Sequence, residues 1–138
     1  MKRLWIAAML SLIAPIAHAE PSKPVIVTPV LTTDTTASGQ PIIPPSNAVQ
    51  LLVSTYEIAP GTSLPAHRHP YPRFGYMLAG ALRVTNLETG KSDDYKAGDF
   101  IAEAIGQWHQ GANIGEGPVK ILVIDQVEKG QSNVEAKP

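Results

Sequence analysis

At 138 residues the chain has the length of one domain, and it contains no cysteine, so neither a disulfide nor a thiolate can brace it, bind a metal or act as a nucleophile. Twelve acidic residues against eleven basic ones give a net charge of −1, which excludes the basic face that nucleic acid requires. Stability must therefore come from core burial, for which domains of roughly 60 residues already suffice.

The first nineteen residues read as a secretory signal. Met1, Lys2 and Arg3 make a positive start, an apolar run follows over 4–16, and Ala17-His18-Ala19 supplies small residues for cleavage after Ala19. The run is shorter than the roughly 20 residues that span a bilayer, and Pro15 interrupts it, which disfavours a membrane anchor. The expected location is periplasmic or secreted. Without Lys2 and Arg3 the remaining chain carries nine basic and twelve acidic residues.

Residues 20–48 form a Pro- and Thr-rich N-terminal arm. Short strands are predicted at 25–27 and 30–31, confined to an edge by Pro29. Gly39-Gln40-Pro41 reads as a turn and Pro44-Pro45-Ser46 as an extended linker. Residues 49–127 read as nearly all β, with strands at 49–58, 74–78, 81–86, 92–96, 100–102 and 119–127. No window shows a sustained 3.6-residue apolar period. The tail 128–138 is polar and expected to be loose. The fold class is all-β, a small sandwich or barrel.

Three histidines lie outside the signal. His67 and His69 are two apart, so on a strand both side chains point to one face and Arg68 to the other. His109 lies forty residues beyond His69, at the start of another strand, where a barrel could bring it to the same centre. Neutral imidazole is a common ligand for transition metals. A set of hydrogen-bonded interior histidines without metal is the alternative. Gly61, Gly80, Gly98 and Gly106 sit where the chain must turn sharply.

Gly61-x5-His67-x-His69-x3-Arg73-x6-Gly80 and Gly98-x5-Ala104-x-Gly106-x2-His109-x3-Asn113, seventeen residues apart, resemble the two motifs of the cupin family. The resemblance covers residues 49–127 and implies a jelly-roll β-barrel. It departs at Ala104, where proline is usual, and at Arg73, where the family has a carboxylate or glutamine. It implies that His67, His69 and His109 are the metal ligands, in a three-histidine variant lacking the usual glutamate. The implied cofactor is one divalent transition metal: Fe if the protein is an enzyme, or Zn, Mn, Cu or Ni. About three octahedral positions would stay open. Similar three-histidine members are oxygen-using thiol and diketone dioxygenases. The N-terminal arm resembles those that pack on a partner subunit, implying a homodimer.

Arg73 decides how far the likeness extends. A guanidinium has no lone pair to donate. At about 5 Å and an effective dielectric of about 20 it would cost each unit of metal charge about 3 kcal/mol, on the order of a hundredfold in affinity. It must pair elsewhere, hold an anionic substrate beside the metal, or exclude metal altogether. Glu103 or Asp99 are the expected partners for a structural ion pair. Arg73 and Tyr76 are the candidate catalytic residues, although Tyr76 shares the parity of Phe74 and Leu78 and equally suits packing. Tyr71 could also line the pocket. Gln107 and Gln110 are candidate donors to the ligands, Asn113 a turn residue, Arg68 a solvated strand residue, and Trp108 a core or partner-surface residue. The functional expectation is an exported metal-binding cupin, an oxidoreductase acting on a small anionic or chelating substrate. The alternative is a non-catalytic module that binds metal or a small ligand.

Overall fold

A computed structural model describes residues 25–138. The signal and its cleavage site lie outside those residues. Nine strands form two antiparallel sheets, and no helix occurs among the described residues. One sheet has the order β1-β8-β3-β6, from β1 (Val49–Ile58), β8 (Val119–Glu128), β3 (Arg73–Ala79) and β6 (Phe100–Ala102). The other has the order β5-β4-β7-β2-β9, from β5 (Ser92–Lys96), β4 (Ala81–Asn86), β7 (His109–Asn113), β2 (His67–Arg68) and β9 (Glu135–Ala136). The order shuffles sequence neighbours, as a jelly roll requires. The expected all-β architecture is what forms.

Strand alternation places the core between the sheets. On β8, Val119, Ile121, Val123, Asp125 and Val127 are all buried while their neighbours are exposed or half-buried. Ile58, Met77, Leu82 and Ile101 pack with Val119, Ile121 and Val123 as one apolar cluster. Gly75 on β3 makes room for that row, since a Cβ there would lie 2.7 Å from Ile121 Cδ1. Gly80 turns β3 into β4 at φ 83°, pressed against backbone. A Cβ at Gly80 would come within 2.7 Å of the Pro118 carbonyl and 2.8 Å of Val119 Cα. Asn113 closes the same end as a buried turn residue: its side-chain amide donates to the Ile58 and Gly117 carbonyls, and its oxygen accepts from Gly115 N–H.

Asp125 is the one carboxylate in an apolar row, so it needs a cation. Arg73 lies directly across the β3–β8 ladder from it. The pair is bidentate, Nε to Oδ1 at 2.7 Å and Nη2 to Oδ2 at 2.9 Å. The two side chains are only 4% and 9% exposed. This corrects the expected partners. Asp99 instead caps the turn after β5, accepting from Lys96 N–H, and Glu103 meets Arg73 through the backbone, its N–H donating to the Arg73 carbonyl.

The ends of the chain also differ from expectation. No strand forms at 25–27 or 30–31, and Val25, Ile26 and Val27 are over 80% exposed, because nothing among the described residues pairs with them. The arm meets the barrel further on, where Ala37 N–H donates to Ala102 and Gln40 clasps both backbone groups of Ile105. The tail is not loose. β9 pairs with β2, and Asn133 is 2% exposed. Its side chain bonds both backbone groups of Tyr71 and Asp125 Oδ1. A polar composition hid a buried anchor.

Two comparisons test these contacts by chemical denaturation. Gly80→Ala combines a strained φ with a backbone clash and is expected to cost about 3 kcal/mol, whereas Gly90→Ala, at φ 74° in open space, should cost about 1 kcal/mol. Asp125→Ala strands a buried guanidinium and should cost about 3–5 kcal/mol. The exposed Arg83–Asp94 pair has the same bidentate geometry, and Asp94→Ala should leave the denaturation midpoint almost unchanged.

Candidate metal centre

Three elements bring the histidines together. His67 on β2 is the register partner of His109 on β7, which closes the forty-residue gap. His69 follows β2 and is placed by a parallel bridge to Ile105. The ring centroids form a near-equilateral triangle of 4.9, 4.6 and 4.8 Å. One ligand nitrogen from each ring lies within 4.8 Å of the others, so the three can hold one ion.

Each ring is fixed through its other nitrogen. His67 Nδ1 lies 2.8 Å from the Pro65 carbonyl, His69 Nδ1 2.6 Å from that of Asn133, and His109 Nδ1 2.9 Å from that of Gln107. A carbonyl accepts only, so each Nδ1 carries a proton, and in the neutral ring each Nε2 keeps its lone pair. That is how proteins orient histidines toward a metal. His69 Nε2 and His109 Nε2 are buried and have no hydrogen-bond partner. Orphaned buried acceptors are costly unless a cation satisfies them, so the site fits a divalent metal.

A carboxylate adjoins them. Glu103 Oε2 lies 3.1 Å from His69 Nε2 and 3.2 Å from His109 Nε2, with the side chain 13% exposed. Burial alone would raise the proton affinity of Glu103, but His109, His69 and the Arg73 charge outweigh it and hold the carboxyl well below the usual range. Burial pulls His67 down, keeping it neutral. Burial also pulls on His109, but the neighbouring Glu103 overrides it and raises that imidazole above its ordinary value.

A cavity of about 40 Å³ adjoins the rings, lined by Tyr56, Leu64, His67, Arg73, Glu103 and His109 among others. A wider mouth of about 230 Å³ opens past Tyr56, His67, Val134 and Ala136. A hollow of about 220 Å³ lies on the other side of Glu103 and His109, bordered by Ser38, Asn86, Lys91 and Tyr95.

The remaining candidates fall in varied places. Arg73 lines the cavity, and its Nε and Nη2 are engaged by Asp125. Tyr76 alternates with the buried Arg73, Gly75 and Met77 and so faces out of the barrel. Tyr76 is thus turned away from the histidines, whereas Arg73 borders their cavity. Tyr71 borders an outer cleft with Gln40 and Pro41. Gln107 supports His109 through its backbone carbonyl rather than its amide, and Gln110 donates to the Leu64 carbonyl. Arg68 stacks 4.6 Å over the Trp108 ring and pairs with Glu135, so it is held rather than merely solvated. Tyr56, Asp125 and Asn133 were not anticipated. The inward parity of Tyr56 with Ile58 was the one local signal for any of them.

A protein-family model for the cupin domain matches residues 54–125. No curated protein matches the sequence significantly. Among solved structures, the chain resembles the polyketide cyclase RemF from Streptomyces resistomycificus at 20% identity and a TM-score of 0.54, with 66% of this chain and 62% of that one covered. It thus spans less than two thirds of that relative. It resembles an uncharacterized protein with a double-stranded β-helix domain from Klebsiella pneumoniae at 21% identity and a TM-score of 0.53, covering 70% and 81%. It resembles the oxalate decarboxylase of Lactobacillus farciminis at 22% identity and a TM-score of 0.53, covering 66% and 27%. At these identities the likeness is one of fold. With the family match spanning more than half of its length and the motif histidines gathered at one point inside a jelly roll, the chain belongs to the cupin family.

Proposed function

We propose that the protein is an exported cupin that binds one divalent transition metal through His67, His69 and His109, and that it acts as an oxidoreductase on a small chelating substrate. The observation that carries the metal is the set of tethered imidazoles, two of them with buried and unpartnered Nε2 atoms. A bound metal would supply Lewis acidity and, if iron, redox chemistry. The chain itself supplies orientation and exclusion of water. Three carbonyls fix the rings, and Leu64, Ile58 and Val123 keep the cavity floor apolar. Substrate would approach through the mouth beside Tyr56 and His67. The substrate is reasoned to be held by chelation, since Arg73 is committed to Asp125.

The small volume next to the rings favours a second reading, a binding module without turnover. Loading the apo-protein anaerobically with Fe(II) and measuring O2 uptake with thiols, diketones and aromatic acids separates the two. Uptake above background supports the enzyme. Background rates, with stoichiometric zinc or copper in protein purified from the periplasmic fraction, would establish the module. His69→Ala should weaken metal binding by more than about a hundredfold in a chelator competition, since it removes a direct ligand rather than a supporting contact.

The homodimer belongs to the same proposal. β1 is an edge strand that presents Val49, Leu51 and Val53 outward, each more than half exposed. An apolar edge of that kind invites pairing with another chain. Light scattering after size exclusion should give twice the chain mass, and Leu51→Asp with Val53→Asp should give the monomer with its metal affinity unchanged.

A further inference from the structure

The family position for a carboxylate ligand holds Arg73, yet a carboxylate stands at the metal centre. Glu103 N–H donates to the Arg73 carbonyl at 3.0 Å, so the two residues are neighbours across the β3–β6 edge. The acid has moved one strand sideways, and the arginine has turned to Asp125. We infer that Glu103 is a fourth metal ligand, completing the three-histidine set from a strand that does not carry the family's acidic residue.

Geometry and charge support this together. Two ligands about 2.1 Å from one ion are about 3.0–3.4 Å apart at octahedral or tetrahedral angles. The separations of Glu103 Oε2 from His69 Nε2 and His109 Nε2, 3.1 and 3.2 Å, fall in that range. Hydrogen bonding is the competing explanation of such distances. Yet neither Nε2 atom has a hydrogen-bond partner by geometry. Their protons are already accounted for at Nδ1, toward carbonyls. Two imidazole lone pairs and an anionic oxygen packed this closely repel one another unless a cation lies among them. Arg73 lines the same cavity as Glu103. Its guanidinium charge is balanced by Asp125 rather than directed at the ion.

The inference rests on the proposed three-histidine site, and its test separates the two. Apo-protein is titrated with Co(II) and with Zn(II), using chelator competition for affinity and the visible d–d spectrum of Co(II) for the ligand field. Wild-type protein that binds neither metal overturns the three-histidine reading itself. If it binds, Glu103→Gln, which keeps shape and removes charge, should weaken both metals by more than about a hundredfold, beyond the ten- to hundredfold typical of a supporting residue. Its Co(II) spectrum should also change. Glu103→Ala is the second variant, and circular dichroism of each apo form verifies the fold. A loss below tenfold, or an unaltered Co(II) spectrum in both variants, would overturn the fourth ligand while leaving the histidines intact.

Discussion

The centre of this molecule depends on three backbone carbonyls. Those of Pro65, Gln107 and Asn133 each hold one Nδ1, and by doing so turn three Nε2 atoms toward a common point. Two of the carbonyls lie just two residues before the histidine they hold, so the local bend of the chain presets His67 and His109. The third comes from sixty-four residues away. His69 therefore cannot be oriented until the barrel has closed and the tail has docked. Lone pairs gathered in this way have a cost in an apolar interior, which a cation offsets.

The second constraint is the ion pair under the centre. Arg73 and Asp125 lock β3 to β8, and Asn133 binds the same carboxylate. A charge that would have repelled a metal is thereby held by its own counter-ion. Buried pairs of this kind are weak evidence for net stability, but breaking one is costly. This one joins sheet, tail and site in a single network, so changes to any member reach the histidines.

Much of this was legible in the sequence because the signals are local. Alternation and Gly or Pro turns marked β1, β4, β5 and β6 at their observed bounds. The spacing of His67, His69 and His109 identified the cluster. What could not be read is register. Whether position 73 faces 125 or 99 depends on which strands become neighbours, and nothing within a window of ten residues encodes that. Glu103 was visible only as a possible partner of Arg73, because its approach to two imidazoles needs β6 beside β3. Tyr76 shows the same limit: its parity with Phe74 and Leu78 was in the sequence, but which face of β3 that row takes was not, and the ring lies outside. The arm at 25–31 has strand-forming residues but finds no strand to join among the described residues.

The tail holds the ring of His69. β9 is two residues long, and both Glu135 and Ala136 are exposed. Short terminal pairings of this sort open far more readily than the strands of the barrel. Opening of β9 alone leaves Asn133 in place, because its side chain is tied to Tyr71 and to Asp125. The acceptor that holds His69 thus outlasts the end of the chain, and the ring keeps its direction while the last strand breathes.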